Sequence, residues 1–193
     1  REFDPARRVQ IIASAGFMGH PSSQPMLERA FERAGSVDRR QAVTALARID
    51  SAEVRERLHA LIEGDYEEAV YDISEDAPVL EEQRDLRAHA VSGLLGQGKP
   101  EDIARLIERS RKSPEDDAVA HYVEKFFPAV KRPGFVKDVV DIMIERGRLS
   151  TEFLLYISRV GTAADLPEVR RLEALGREGD DRTRVQSLID ANW

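Results

Sequence analysis

Apolar residues recur at intervals of three and four along almost the whole chain, and this periodicity constrains the fold more than any other feature. Between positions 43 and 62 the apolar positions are Val43, Leu46, Ala47, Ile49, Val54, Leu58, Leu61 and Ile62. Such spacing places an apolar stripe along one face of an α-helix. Sustained alternation with period two is missing, as are Asn-Gly and Asp-Gly hairpin turns. The chain is therefore predicted to be all-α.

Glycine, proline and small polar residues divide the periodic segments into eleven predicted helices. These cover residues 5–16, 23–34, 38–49, 52–63, 82–96, 100–111, 114–127, 134–146, 150–160, 163–177 and 181–191. The pair Ser113 and Asp116, like the pair Thr162 and Asp165, resembles a capping box at a helix N-terminus. Seven glycines that come after periodic segments are predicted to be left-handed C-caps: Gly16, Gly35, Gly64, Gly98, Gly147, Gly161 and Gly179.

The predicted helices come in pairs, and the pairs repeat. The first helix of each pair opens at Asp4, Asp38, Asp85, Asp117, Thr151 or Asp181. The spacings are 34, 47, 32, 34 and 30 residues, so all but one lie near 32. Such a period is typical of helical solenoids, in which each hairpin buries its stripe against its neighbours. Small residues in the first helices would let neighbours approach closely, as at Ala42, Ala45, Ala47, Ala88, Ala90 and Gly93.

The clearest unit, DRRQAVTALARIDSAEVRERLHALIEG, runs from Asp38 to Gly64. It contains an Asp followed by Arg, an Ala-Val-x-Ala-Leu stripe, a short turn with Asp and a second amphipathic helix. This unit resembles a HEAT repeat of the short bacterial kind also found in phycobilisome-lyase-type proteins, and the segments from Asp85 and Asp181 are similar. The resemblance implies a right-handed α-solenoid of about five HEAT-like hairpins plus a terminal helix, forming a single domain over residues 1–193.

The one long interval between repeats contains an acidic insertion at about residues 64–82. Residues 63–85 hold ten acidic side chains and one Arg, which gives −9 against −7 for the whole chain. Tyrosines and aliphatic residues interleave with the acids, as in a docking surface where charges steer a basic partner and aromatics anchor it. A solvated loop is the alternative, and no EF-hand spacing supports a calcium site. The candidate partner-binding residues here are Tyr66, Glu67, Glu68, Tyr71, Glu75 and Asp76.

A second candidate surface is the concave face of the expected solenoid, formed by the second helices of the hairpins. Its candidate partner-binding residues are Arg55, Arg105, Arg109 and Lys137. The partner expected at either surface is another protein. A net charge of −7 argues against general affinity for nucleic acid, so a nucleic-acid partner is not expected.

Six of the twelve aromatic residues fall between positions 122 and 156. The segment 153–160 is apolar on nearly all sides and is interpreted as the innermost helix of the stack. An exposed groove for a peptide or hydrophobic ligand is the alternative interpretation.

Signatures of catalysis and cofactor binding are missing from the sequence. There is no Cys, which excludes disulfides, Cys-ligated metals and Cys nucleophiles. GxSxG, P-loop and GxGxxG motifs are also absent. His89 and His121 occupy equivalent positions in consecutive repeats, but without an HExxH-type pair they are weak evidence for a metal. No cofactor or metal site is predicted, and no apolar run approaches the roughly 20 residues that span a bilayer.

The predicted function is a non-enzymatic protein-binding scaffold or adaptor. The alternative, which rests on the resemblance alone, is a lyase-like or chaperone-like accessory protein acting on a bound chromophore or its carrier protein. The chain begins Arg1-Glu2-Phe3 and carries no visible signal peptide. Because the chain begins without Met, an N-terminal segment is expected to have been removed and the location stays unknown, with a cytoplasmic one slightly favoured and an exported form left open.

Overall fold

The computed structural model describes residues 5–33, 36–64, 86–112, 117–175 and 180–192, and over these residues the protein is all-α. The described residues contain eleven α-helices: α1 (Pro5–Met18), α2 (Gln24–Arg33), α3 (Ser36–Leu46), α4 (Ala52–Glu63), α5 (Leu86–Gln97), α6 (Pro100–Lys112), α7 (Ala118–Phe126), α8 (Val136–Glu145), α9 (Thr151–Val160), α10 (Leu166–Arg170) and α11 (Asp180–Asn192). The all-α class is confirmed over these residues, and each of the eleven predicted helices has a counterpart among them, although the one predicted over 163–177 is much shorter. None of the described helices is long and apolar enough to cross a membrane.

The chain divides into two compact units, a first unit of residues 1–99 and a second unit of residues 100–193. In the first unit α1, α3 and α5 pack side by side as one layer. Helices α2 and α4 form the second layer, in which α2 packs on α3 and α4 packs on α5. Arg57 of α4 reaches Glu32 of α2 at 3.1 Å and lies over the ring of Phe31. The first unit is therefore a two-layer stack in which helices contact their second neighbours along the chain.

The odd-numbered helices of the first unit run in the same direction. Close approaches between α1 and α3 occur first at Gly16 and Ala45 and then, three residues on in both segments, at Gly19 and Arg48. Along α3 and α5, Thr44 contacts His89 and Ala47 then approaches Gly93, so these two helices are also parallel. Parallel second neighbours are what stacked helical hairpins produce.

Residues of the predicted apolar stripe form the core of the first unit. All eight apolar positions between Val43 and Ile62 that define the stripe are buried. The expected close approach of small residues is also confirmed, because a Cβ on Gly93 would overlap that of Ala47. Gly16 has the same role against Ala45, so its predicted role as a C-cap is wrong. Helix α1 continues to Met18, and Gly19, with φ of +58°, ends it.

The second unit has the same two-layer order with different side chains. Helices α7, α9 and α11 form one layer, and α6, α8 and α10 form the other. Phe127, just after α7, packs edge-to-face on Phe153 and Tyr156 of α9, with ring centroids 5.3 and 4.8 Å apart. All three rings are buried, which confirms the interior interpretation for these residues. Leu155 on the same helix is 43% exposed, so α9 is not interior on every side.

Several helix termini have the predicted caps. The Asp117 side chain accepts a hydrogen bond from the Val119 N–H at 2.7 Å and caps α7. The capping box of Thr162 and Asp165 is present. Ser150 caps α9, which opens at Thr151 as predicted. Ser113 and Asp116 lie outside the described residues.

The segment predicted as one helix over 163–177 is instead a short α10 between two 3-10 turns. Pro167 lies in the first turn of α10 and has no N–H to bond to a carbonyl four residues earlier. An α-helix starting at Ala163 would need that bond, so the first turn is 3-10.

Left-handed glycines were predicted correctly at Gly98 and Gly147, with φ of +69° and +65°. The same prediction is wrong for Gly64 and Gly161, whose backbones are extended. The N–H of Gly161 closes the last helical hydrogen bond, at 2.8 Å from the Ile157 carbonyl, and the chain then leaves without a left-handed residue. Gly35 and Gly179 lie outside the described residues.

Candidate functional site

A groove of about 490 Å³ opens in the first unit between α5 and the C-terminal part of α3 with the turn after it. Its lining residues are Thr44, Ala47, Arg48, His89, Ser92, Gly93, Gly96 and Gln97. The floor is built from small residues because α3 and α5 approach closely there. Polar side chains from both helices surround this floor, so the groove combines a narrow apolar base with hydrogen-bonding groups.

Two glycines of α5 shape the groove in different ways. Gly93 is required by packing, since any side chain there would overlap Ala47. A Cβ on Gly96 would meet no heavy atom within 4 Å. Glycine inside a helix costs up to about 1 kcal/mol relative to alanine, and at Gly96 no packing contact offsets that cost. The absent side chain of Gly96 leaves the groove open.

The His89 ring is held by a chain of hydrogen bonds along the groove. The Thr44 hydroxyl donates to the Arg40 carbonyl at 2.9 Å, which uses its one proton. The Thr44 oxygen lies 3.2 Å from His89 Nδ1 and therefore accepts from it. Neutral His89 consequently carries its proton on Nδ1, with Nε2 as the acceptor nitrogen.

The Gln97 amide joins α5 to the turn after α3. Its Nε2 donates to the carbonyls of Ala47 and Ile49 at 2.8 and 3.3 Å. These two acceptors fix the orientation of the amide, because only the NH₂ group can donate. The Oε1 atom is buried and accepts no hydrogen bond from the residues that the structure describes. A buried acceptor is thus held beside the groove.

Arg48 is the one charged residue among those that line the groove. Its side chain is exposed and forms no ion pair with any residue that the structure describes. The nearby acid Asp50 is already engaged, at 2.7 Å from Lys99 and 2.9 Å from Arg55. The hydrogen bond from Lys99, with the charges of both cations, lowers the pKa of Asp50. Arg48 is therefore an available cation on a chain of negative net charge.

An exposed apolar surface lies at the end of α1, beside Arg48. Phe17 is 84% exposed, Met18 69% and Ile11 45%. Ile11 and Met18 are seven residues apart and share one line of the helix. Gly19, directly after Met18, lies so close to the backbone of Arg48 that a Cβ there would be 3.1 Å from the Arg48 carbonyl oxygen, so the end of α1 lies near the groove. We call Ile11, Phe17 and Met18 the α1 apolar surface.

Sequence reasoning missed the α1 apolar surface because it ended the first helix at residue 16. The available signal was the pair Phe17-Met18, two large apolar residues that lie off the buried stripe of an amphipathic segment. Arg48 was also missed, since nothing in its sequence context separates it from the other arginines.

The acidic candidates of the insertion lie outside the described residues: Tyr66, Glu67, Glu68, Tyr71, Glu75 and Asp76. The docking prediction for that segment stays a prediction.

The basic candidates are divided between the two units, with Arg55 in the first and the other three in the second. Arg55 pairs with Asp50, Arg109 pairs with Asp117 at 2.9 Å, and Lys137 pairs with Asp141 at 2.7 Å. Arg105 is half-buried on α6, one turn before Arg109. Arg55, Arg109 and Lys137 thus already face an acid.

The two candidate metal-binding histidines also fall in different units, His89 in the first and His121 in the second. The His121 ring packs on Tyr122, with centroids 5.8 Å apart. Over the described part of the chain, no group of three or more metal-ligating side chains is assembled.

Comparison of the chain with protein-family models, with curated proteins and with solved structures finds no match. The geometry of the groove and of the α1 apolar surface is therefore the basis on which a function can be assigned.

Proposed function

We propose that the protein is a non-enzymatic protein-binding scaffold or adaptor of HEAT-repeat type. The observation that carries this proposal is the α1 apolar surface. Three of the four large apolar side chains that are largely exposed among the described residues lie on this one helix. Aromatic residues and methionine are enriched in interfaces, and burying one such side chain contributes about 1.5–3 kcal/mol. A partner that covers Phe17 and Met18 would gain this free energy.

The proposal includes a right-handed α-solenoid built from the helical hairpins. Its support is the order of the layers inside each unit, where helices contact their second neighbours. Arginine–carboxylate pairs join the even-numbered helices in both units, as between Arg111 of α6 and Glu145 of α8. Small-angle scattering tests this part of the proposal. A compact globule of this length has a radius of gyration of about 16 Å, and a solenoid requires a larger value.

The decisive experiment for the binding role compares two variants of the full chain. Phe17→Ser with Met18→Ser removes the two most exposed side chains of the α1 apolar surface, and Leu155→Ser removes one exposed leucine of α9 as the matched control. Substitutions at such exposed positions usually change stability by no more than about 0.5 kcal/mol, so both variants should fold. Circular dichroism and thermal unfolding check this.

Affinity purification from the native source, and then reconstitution with the purified partner, gives the readout. We expect the wild-type chain and Leu155→Ser to form a stable complex and the double variant to lose it. Equal binding by all three proteins would overturn the assignment of this surface. Co-purification of a coloured or small-molecule ligand, with no protein complex, would instead favour the lyase-like or chaperone-like alternative.

A further inference from the structure

We infer that the groove between α3 and α5 binds the side-chain carboxylate of an acidic residue in an extended peptide segment, with Arg48 as its anchor. The inference rests on the proposed protein-binding function and gives the chemistry of the partner. Three features that lie together support it: the available cation Arg48, the open groove above Gly96 and the polar side chain of Ser92.

Charge identifies the ligand as anionic. Arg48 is the one charged residue that lines the groove, and no described residue neutralises it. Its planar guanidinium presents paired N–H donors that match the two oxygens of a carboxylate. The paired cations Arg55 and Lys99 share Asp50 and lack this freedom. A single arginine without an acidic partner among the described residues fits one carboxylate better than a polyanion such as nucleic acid, which requires many cationic contacts.

Size and shape favour an extended peptide over a helix. A volume of about 490 Å³ falls in the range of ordinary ligand pockets. An α-helix with its side chains is about 10 Å across and would need a wider channel. The narrow floor at Ala47 and Gly93 and the open space above Gly96 accommodate a few residues of extended chain.

The polar lining suits a peptide backbone. An extended segment presents N–H donors and carbonyl acceptors in alternation. The Ser92 hydroxyl, which lines the groove, can donate or accept a hydrogen bond with such a segment. The α1 apolar surface begins next to Arg48, so the partner is expected to carry an apolar residue close to its acidic one.

Gly96 provides a test that does not disturb the fold. Because a Cβ at this position meets no heavy atom within 4 Å, Gly96→Leu is expected to extend into the groove while α5 stays packed. Arg48→Gln removes the proposed anchor, and Lys99→Gln is the matched control, since Lys99 is a neighbouring cation already paired with Asp50.

The experiment titrates ¹⁵N-labelled full-length protein with two peptides, Ac-Gly-Ala-Glu-Ala-Gly-NH₂ and its Gln counterpart, and monitors amide shifts of α3 and α5 by NMR. We expect the Glu peptide to bind the wild-type chain and Lys99→Gln about tenfold more tightly than the Gln peptide does, equivalent to about 1.4 kcal/mol. Arg48→Gln should lose this preference, and Gly96→Leu should lose binding of both peptides.

Equal binding of the two peptides by the wild-type chain would overturn the inference, and so would full binding by Gly96→Leu. The two proposals fail separately. A partner that binds through Phe17 and Met18, with no response of the protein to the Glu peptide, would support the scaffold proposal and overturn the inference about the groove. Binding of the Glu peptide at the groove, with no protein complex formed, would support the inference about the groove and overturn the scaffold proposal.

Discussion

The two units share one order of helices but pack their odd-numbered layers with side chains of opposite size. In the first unit the contacts between these helices are made by Gly16 on Ala45 and by Gly93 on Ala47. In the second unit the equivalent layer is filled by the rings of Phe127, Phe153 and Tyr156. Small residues let helices approach closely, whereas aromatic rings hold them apart and fill the space between them.

This difference accounts for where the candidate site lies. Where α3 and α5 meet through Ala47 and Gly93, few side chains fill the space above the contact, and the groove remains. In the second unit the space near α9 is taken up by buried aromatic carbon. Within each unit, the same helical architecture can thus carry either a binding groove or a filled core, depending on the residues at a few contact positions.

The largest expected effect is the loss of an aromatic ring from the second unit. Phe153→Ala should reduce the free energy of unfolding by about 3–5 kcal/mol, because it leaves a cavity among Phe127 and its neighbours. Chemical denaturation measures the loss. Phe17→Ala, which removes the same ring from an exposed position, should change stability by less than about 0.5 kcal/mol. Similar losses for both variants would contradict the buried and exposed assignments.

The second-largest expected effect on stability is the loss of the buried Glu124 carboxylate of the second unit. Glu124 accepts hydrogen bonds from Arg146 at 3.2 Å and Arg148 at 2.8 Å. Burial alone would raise the pKa of Glu124, but the hydrogen bonds from Arg148 and Ser150 and the charges of both arginines outweigh it and lower the pKa. At neutral pH, Glu124→Gln should cost about 1.5–3 kcal/mol through the loss of charged hydrogen bonds.

The pH dependence of that cost results from the lowered pKa. Because the pKa of Glu124 is lower in the folded state than in the unfolded state, its contribution is complete above the unfolded pKa, near 4.5. The contribution is lost as pH falls through the folded pKa. Denaturation at pH 6 and at successively lower pH should therefore show the wild type and Glu124→Gln converging in acid. A difference that stays constant over this range would contradict the charged role of Glu124.

A smaller effect tests the glycine contact of the first unit. Gly93→Ala should destabilise the protein by about 1–3 kcal/mol, because the new Cβ overlaps Ala47 and forces α3 and α5 apart. Gly96→Ala, three residues later on the same helix, meets no atom and should be neutral or stabilising by up to about 1 kcal/mol. Thermal unfolding of the two variants measures the contrast. Equal effects would mean that close approach is not what selects glycine at position 93.

The smallest effect separates the ring of Tyr156 from its hydroxyl. The hydroxyl donates to the Arg132 carbonyl at 2.7 Å and accepts from the Phe135 N–H at 3.3 Å. Tyr156→Phe keeps the buried ring and should cost about 1 kcal/mol. Burial raises the pKa of Tyr156 to about 12, so the absorbance titration of tyrosinate should lose a component near pH 12 in this variant. A loss as large as that of Phe153→Ala would show that the hydroxyl, rather than the ring, maintains this packing.

Most of the helix positions were predictable because the apolar period of a helix is a local property. The stripe between Val43 and Ile62 specified both the two helices and the face that they bury. Prediction failed where a local signal competed with another constraint. Pro167 interrupted a segment with helical periodicity, and Gly16 was a packing residue although its position suggested a cap.

The sequence alone therefore determined the class of fold, the approximate positions of the described helices and the residues of their buried faces. Only the tertiary structure decided that Gly93 is packed while Gly96 is open, and that Arg48 is unpaired among the described residues while Arg55 is not. These outcomes depend on pairs of residues far apart in the chain, such as Ala47 with Gly93 and Asp50 with Lys99. A periodic pattern specifies which face of a helix is buried. The distance and register between two helices depend on residues of both helices. The groove therefore results from the way α3 and α5 pack together, which neither segment specifies alone.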